Sequence, residues 1–275
     1  GYGPDGPYAQ RPGQDLLAQA LFGLMAITGQ PATGPRPVGV SAVDHHGAAL
    51  FAMGILAALL RRERTGKGCR VDASLMQAAL DLQAESLTAW LNAANRPASV
   101  SARPHVAGWY YPAPYGVYAT RNGHIAVSLC PLQRLAEAIE EPQLASFSDK
   151  DAWRRQDEIS EIIAARLKSG ATEDWAEHME RAQIWHARVQ GYADLLEDPQ
   201  VNHVQALVTI KGVGESGAPV TLVNHPVRYD GEAAAIRLAP QRLGAQTKDI
   251  LVELGFGEAE IAAFARDGVV RLDDR

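Results

Sequence analysis

The stretch VGVSAVDHHGAALFAMGILAALLRRERTGKG, residues 38–68, decides how the rest of the chain is read. From residue 48 to residue 60 nearly every side chain is apolar or glycine, without the alternation of a half-wet strand. The pattern therefore predicts a helix buried on most sides. Asp44 falls where that helix begins. There a carboxylate can accept hydrogen bonds from the free N–H groups of the first turn, and the helix dipole favours its negative charge by about 0.3–1 kcal/mol. At the far end Arg61, Arg62 and Arg64 complement the last carbonyls, and Gly66 can adopt the left-handed conformation that stops a helix. Spacing alone leaves two roles open for Asp44, helix cap or nucleophile.

Downstream of this stretch, residues 69–73 alternate like a strand. Ser74 then caps a helix over 75–91, with Gln77 completing a capping box. Strand and helix alternating over 38–94 suggest parallel α/β packing. Upstream, residues 15–27 read as one helix with Leu16, Leu17, Ala20, Leu21, Leu24 and Met25 on its apolar face, and Asp15 reads as its cap. The opening GYGPDGPYAQRP fits GxGxxG in its first six residues. A phosphate-binding loop of that type follows a strand and opens a helix with free N–H groups, and Pro4 and Pro7 remove two donors, which argues against a dinucleotide fingerprint.

Residues 95–114 are polar and proline-punctuated and read as a linker, whose Trp109, Tyr110 and Tyr111 either wall a substrate pocket or, the favoured reading, anchor it on a neighbouring surface. YGVYATRNGHIAVSL, residues 115–129, is a hairpin signal around Asn122-Gly123 that opens a smaller α/β domain. Helices follow over 132–139, 150–168 and 172–182, with Trp153, Ile159, Ile162, Ile163, Leu167 and Trp175 as core. Two β-like runs, 206–210 and 219–223, flank a glycine-rich turn, and helices near 247–255 and 258–266 close the chain.

A length of 275 residues with 47% hydrophobic residues suits one large or two ordinary globular domains. Lys plus Arg number 26 against 32 Asp plus Glu, a net charge of −6, so there is no general attraction to nucleic acid or anionic membrane. The apolar run over 48–60 is shorter than the roughly 20 residues a bilayer crossing needs, and the N-terminus lacks the pattern of a signal peptide. Cys69 and Cys130 cannot build a disulfide framework, and a reducing cytoplasm is the simplest home. His45 and His46 are adjacent rather than spaced i, i+3 or i, i+4, so no metal site is expected.

Taken together, GYGPDGPYAQRPGQDLLAQALFGLMAITG, the 38–82 segment and LAPQRLGAQTKDILVELG near the end resemble the family III CoA-transferases (the CaiB/BaiF family, with the formyl-CoA and carnitine CoA-transferases). The resemblance is dense over 1–82, weaker over 115–200 and clear again over 199–255. It implies an α/β fold with a Rossmann-like large domain, incomplete here, and a smaller α/β domain. Residues 1–100 would form part of the large CoA-binding domain, 101–200 the small domain with its linker, and 201–275 a crossing segment and a return to the large domain. In that family the aspartate at the Asp44 position is the nucleophile, and the turn at Gly1, Tyr2 and Gly3 lines the CoA channel.

The resemblance further implies acyl-CoA and a carboxylic acid as substrates, CoA as substrate with no permanently bound cofactor, and an interlocked homodimer. Related CoA racemases carry a histidine at the Gln14 position. An amide cannot exchange a proton at neutral pH, so Gln14 favours acyl transfer over racemase or lyase chemistry. The developing oxyanion would be met by backbone N–H groups near the helix start, in the Gly47 region. Because the family's glycine turn lies well inside its proteins, the chain is expected to be a fragment, a partial gene or one subunit of a split enzyme. A non-catalytic partner is therefore the alternative from another class.

Overall fold

The computed structural model describes residues 1–30, 32–97, 99–101, 103–212, 217–238 and 241–273. The chain divides into two compact units, Gly1–Val189 and Gln190–Arg275.

The first unit begins with helices. The apolar run expected as one helix is two, α1 (Asp15–Leu21) and α2 (Leu24–Thr28), because Gly23 between them sits at φ 95° and turns the chain. Helix α3 (Ala42–Thr65) follows and ends, as expected, on Gly66 at φ 69°, whose N–H donates to the Arg62 carbonyl. Residues 69–74 have no regular secondary structure, so the strand expected over 69–73 does not form, and all paired strands among the described residues run antiparallel. An extended segment becomes a strand only when another edge takes its hydrogen bonds. The next helix also divides, into α4 (Leu75–Asp81) and α5 (Ala84–Asn92), and Ser74 accepts from the Gln77 N–H as the cap of α4.

Helix α3 differs most from expectation. Among its residues only Val43 is fully buried, while Leu56 is 65% exposed and Met53, Leu60 and Phe51 also face outward. Helices α1 and α4 pack on it from one side. At Gly47 an added Cβ would stand 3.2 Å from the Ala78 Cβ, and at Gly54 3.2 Å from a Val71 methyl, so these glycines let neighbours approach closely. With 24 residues and an 18-residue stretch of mean hydropathy 1.5, α3 is long and apolar enough to cross a membrane by length and composition. The helix is thus longer than the 48–60 run on which a crossing was set aside. Core helices of soluble proteins pass the same test but are mostly buried, whereas 6% of this stretch is buried here.

The rest of this unit holds the larger core. Strands β1 (Gly116–Ala119) and β2 (His124–Val127) form the expected hairpin, and β3 (His186–Arg188) adds a third antiparallel strand. Against it pack α6 (Leu132–Ala138), α7 (Asp149–Arg154), α8 (Gln156–Leu167) and α9 (Thr172–Arg181). Ile159, Ile163, Leu167 and Trp175 are buried as expected, but Trp153 is 59% exposed. The one helix expected over 150–168 breaks at Arg155, and Trp153 on its short first part turns outward beside Pro112 and Leu129. The aromatic loop is an anchor: Trp109 Nε1 donates to Ser86 Oγ at 2.9 Å, and Tyr111 Oη to Glu85 at 2.9 Å. That bond to a carboxylate raises the Tyr111 phenol above its ordinary range.

The second unit carries α10 (Tyr192–Glu197), α11 (Pro199–His203), the hairpin of β4 (Leu207–Ile210) and β5 (Val220–Val223), a short β6–β7 pair (Arg228–Tyr229 and Glu232–Ala233), α12 (Thr247–Glu253) and α13 (Glu258–Arg266). Both expected β runs are present. The centre of the glycine-rich turn between them, 213–216, and residues 239–240 of the LAPQRLG segment lie outside the described residues.

Candidate active site

Asp44 is not the cap of α3. The N-cap position is Ser41, and Asp44 is the third helical residue. Nor does Ser41 cap with its side chain. The capping acceptor comes from another helix: Asp15 Oδ1 accepts from the N–H groups of Val43 at 2.8 Å and Asp44 at 3.1 Å. The other oxygen, Oδ2, accepts from Gln19 Nε2, which also donates to the Val40 carbonyl at 3.2 Å, while Gln19 Oε1 accepts from the Val38 N–H at 3.0 Å. Asp15 is 9% exposed and Gln19 2%. A carboxylate this buried is stable because N–H donors surround it.

This arrangement inverts the expected face of α1. Asp15, Ala18 and Gln19 are buried, whereas Leu16, Leu17 and Leu21 are exposed. Residues i and i+4 share a helix face, so the side of α1 that meets α3 carries Asp15 and Gln19. Asp15 therefore caps α3 rather than its own helix, and Gln19 joins it in a role that apolar periodicity does not reveal. The available signal is a pair of polar residues at helical spacing within a leucine-rich run.

Relieved of capping, the Asp44 carboxylate is exposed and has no hydrogen-bond or ion-pair partner among the described residues. It opens into a cavity of about 480 Å³ that also takes in Gln14, Asp15, Gln19, Gly39 and Ser41. The structure thus brings Gln14 and Asp44 together. Gly1, Tyr2 and Gly3 lie outside the lining of this cavity. Gly1 rests on Gly13, where an added Cβ would meet the Gly1 Cα at 2.7 Å, and its carbonyl accepts from the Met76 N–H at 3.1 Å. Tyr2 is buried edge-on against Tyr8 and Phe22, and Gly3 keeps a partly exposed backbone at φ 116°.

The backbone donors expected for an oxyanion are already engaged. Ala42 N–H donates to the Val40 carbonyl at 2.8 Å, Val43 and Asp44 to Asp15, and His45 to the Ser41 carbonyl at 3.1 Å. Gly47 lies inside the helix and faces Ala78. Side-chain donors remain: the Gln14 amide and the Ser41 hydroxyl both line the cavity. His46 Nε2 lies 2.7 Å from Asp81 Oδ2, and no cluster of three potential metal ligands occurs among the described residues.

The structure thus places an exposed aspartate in the first turn of a long helix, in one cavity lining with Gln14. Residues 1–247 match the model of CoA-transferase family III, and the chain belongs to that family. It is 28% identical over 255 residues to the acetyl-CoA:oxalate CoA-transferase of Acetobacter aceti, covering 86% of this chain and 64% of that protein. It is also 28% identical over 281 residues to the succinyl-CoA:glutarate CoA-transferase of Mus musculus, covering 98% and 62%. An acyl-CoA transferase of Fusarium pseudograminearum is 25% identical, covering 98% and 60%. The chain therefore spans 60–64% of the length of these relatives. In fold it is similar to a CaiB/BaiF family protein from Brucella suis, with a TM-score of 0.71, 22% identity, and 92% and 66% of the two chains covered. Rv3272 from Mycobacterium tuberculosis is likewise similar, with a TM-score of 0.69, 23% identity, and 86% and 62% covered.

Proposed function

We propose that the protein moves CoA from an acyl-CoA thioester to a free carboxylic acid, with Asp44 as the nucleophile. The observation that carries this reading is the Asp44 carboxylate, without a partner among the described residues, freed by the Asp15 cap and open to the cavity. An Asp44 oxygen attacks the thioester carbonyl and CoA thiolate leaves, giving a mixed anhydride. The thiolate then attacks the Asp44 carbonyl of that anhydride, releasing the first acid and leaving an aspartyl-CoA thioester. The acceptor carboxylate attacks this thioester and displaces thiolate, forming a second anhydride. Thiolate attack on its acyl carbon yields the new acyl-CoA and restores Asp44. One thioester is exchanged for another, so no outside energy source is needed.

Each tetrahedral intermediate develops an oxyanion. With the first-turn N–H groups engaged, the Gln14 amide is the donor we assign to it, a contribution worth about 10²–10³ in rate. The exposed backbone of Gly1 and Gly3 is assigned to the CoA channel, with Tyr2 as the packed residue that holds the turn. A homodimer in the cytoplasm completes the proposal. The relatives' activities, on oxalate and glutarate, suggest small dicarboxylates as the acids to try first.

The test is Asp44→Ala, assayed for CoA exchange between succinyl-CoA or acetyl-CoA and a panel of dicarboxylic acids. Exchange falls to background while stability drops by no more than the loss of a charge near a helix N-terminus, about 0.3–1 kcal/mol. Retained turnover refutes the assignment, and loss of an α-proton to deuterated water without CoA exchange would favour racemase chemistry instead.

A further inference from the structure

We infer that Asp15 is a positioning residue for Asp44, holding the first turn of α3 from α1. This role rests on the reading of Asp44 as nucleophile. The geometry is a two-sided clamp. Asp15 Oδ1 takes the Val43 and Asp44 N–H groups, so the residue proposed to react is tied through its own backbone. Asp15 Oδ2 takes the Gln19 amide, and Gln19 fastens the preceding segment at the Val38 N–H and the Val40 carbonyl. Both sides of the 38–44 corner are therefore pinned to one face of α1.

A local cap would not do the same. Had Ser41 capped the turn, its hydroxyl would be spent on the backbone and only Gln19, at the Val38 N–H and the Val40 carbonyl, would tie the corner to α1. Capping from α1 leaves Ser41 and Asp44 facing the cavity while the backbone beneath them is held by buried bonds. Displacement of a reacting group by about 1 Å can cost about 10²-fold in rate, so a clamp of this kind acts on the chemical step more than on substrate capture.

The experiment measures the rate at which acyl-CoA labels Asp44, with the adduct located by mass spectrometry, in the wild type, Asp15→Ala, Asp15→Asn and Ser74→Ala. Ser74→Ala removes the cap of α4, away from the cavity, and controls for generic loss of helix stability. Asp15→Ala is expected to slow labelling about 10²-fold with the KM for acyl-CoA little changed, and to speed hydrogen exchange at the Val43 and Asp44 amides. Asp15→Asn keeps an acceptor for those amides but turns a donor toward Gln19. It should recover part of the rate, and it stands in if Asp15→Ala does not fold. Ser74→Ala should label like the wild type.

A folded Asp15→Ala protein labelling within about threefold of Ser74→Ala would overturn the positioning role while leaving the nucleophile intact. A wild type that never carries label on Asp44 would overturn both, and is told apart by failing before any Asp15 variant is made.

Discussion

Residues 1–97 and residues 105–189 solve opposite problems within one compact unit. The later region buries a continuous apolar core running from Ala113 to Ile184, including Tyr118, Ile125, Leu135, Ile159, Ile163 and Met179. The earlier region buries only Ala18, Leu24, Val43, Ala78 and Ala79 in its cluster, and shields polar side chains as well, Asp15, Gln19, Gln83 and Ser86. Leu16, Leu17 and Leu21 on α1 and Leu56, Leu59 and Leu60 on α3 face outward. Stability is thus concentrated where no candidate chemistry lies, and the candidate site sits where buried hydrogen bonds take the place of apolar packing. Such bonds fix direction, which a nucleophile needs, while close apolar packing supplies most of the stabilisation.

The contrast is tested most severely by truncating one apolar side chain in each region. Ile159→Ala, in the later core, removes a fully buried side chain and is expected to cost about 2–5 kcal/mol in chemical denaturation. Leu56→Ala on α3 removes as much hydrocarbon from a side chain already 65% exposed and is expected to cost no more than about 0.5 kcal/mol. Comparable losses at the two positions would show that the outer face of α3 is covered in solution, and the contrast would fail.

Next in size is the pair of aspartates. Asp15→Ala strands two N–H groups of α3 and the Gln19 amide, an expected cost of about 1–3 kcal/mol. Asp44→Ala breaks no side-chain hydrogen bond among the described residues and gives up only a charge near the helix N-terminus, about 0.3–1 kcal/mol. Equal losses would mean that Asp44 carries structure, and the division of labour between capping and chemistry would be lost. Thermal unfolding of the two variants in one buffer settles the order.

Much of this was legible from the residues and some was not. The helix of α3, its glycine stop, the Ser74 cap, both hairpins and the α8–α9 core follow from periodicity and turn chemistry, which are local. The breaks at Gly23 and at 82–83 were not legible, because a helical pattern continues through them and only tertiary contacts decide; Gln83, for one, donates to both the Phe22 and Ala79 carbonyls. The strand over 69–73 had strand-like alternation but depends on an edge elsewhere. Asp44 is singled out by resemblance alone, while its release from capping depends on Asp15, 29 residues upstream, and a contact of that range leaves no local pattern.

The finest test compares the two thiols, one in each region. Cys69 lies exposed after α3, whereas Cys130 follows β2 against the later core, where burial pushes its thiol up to about 11. Burial disfavours the thiolate, and only the thiolate reacts, so Cys130 is poorly reactive at pH 8 and gains reactivity as pH rises toward its folded-state value. Timed alkylation read by mass spectrometry should therefore mark Cys69 first at pH 8, with the gap narrowing as pH increases. In urea that unfolds the later core the two should converge even at pH 8, since the shift belongs to the folded state. Equal rates at pH 8 in native buffer would mean that the later core opens readily, removing the difference in burial on which the comparison of the two regions stands.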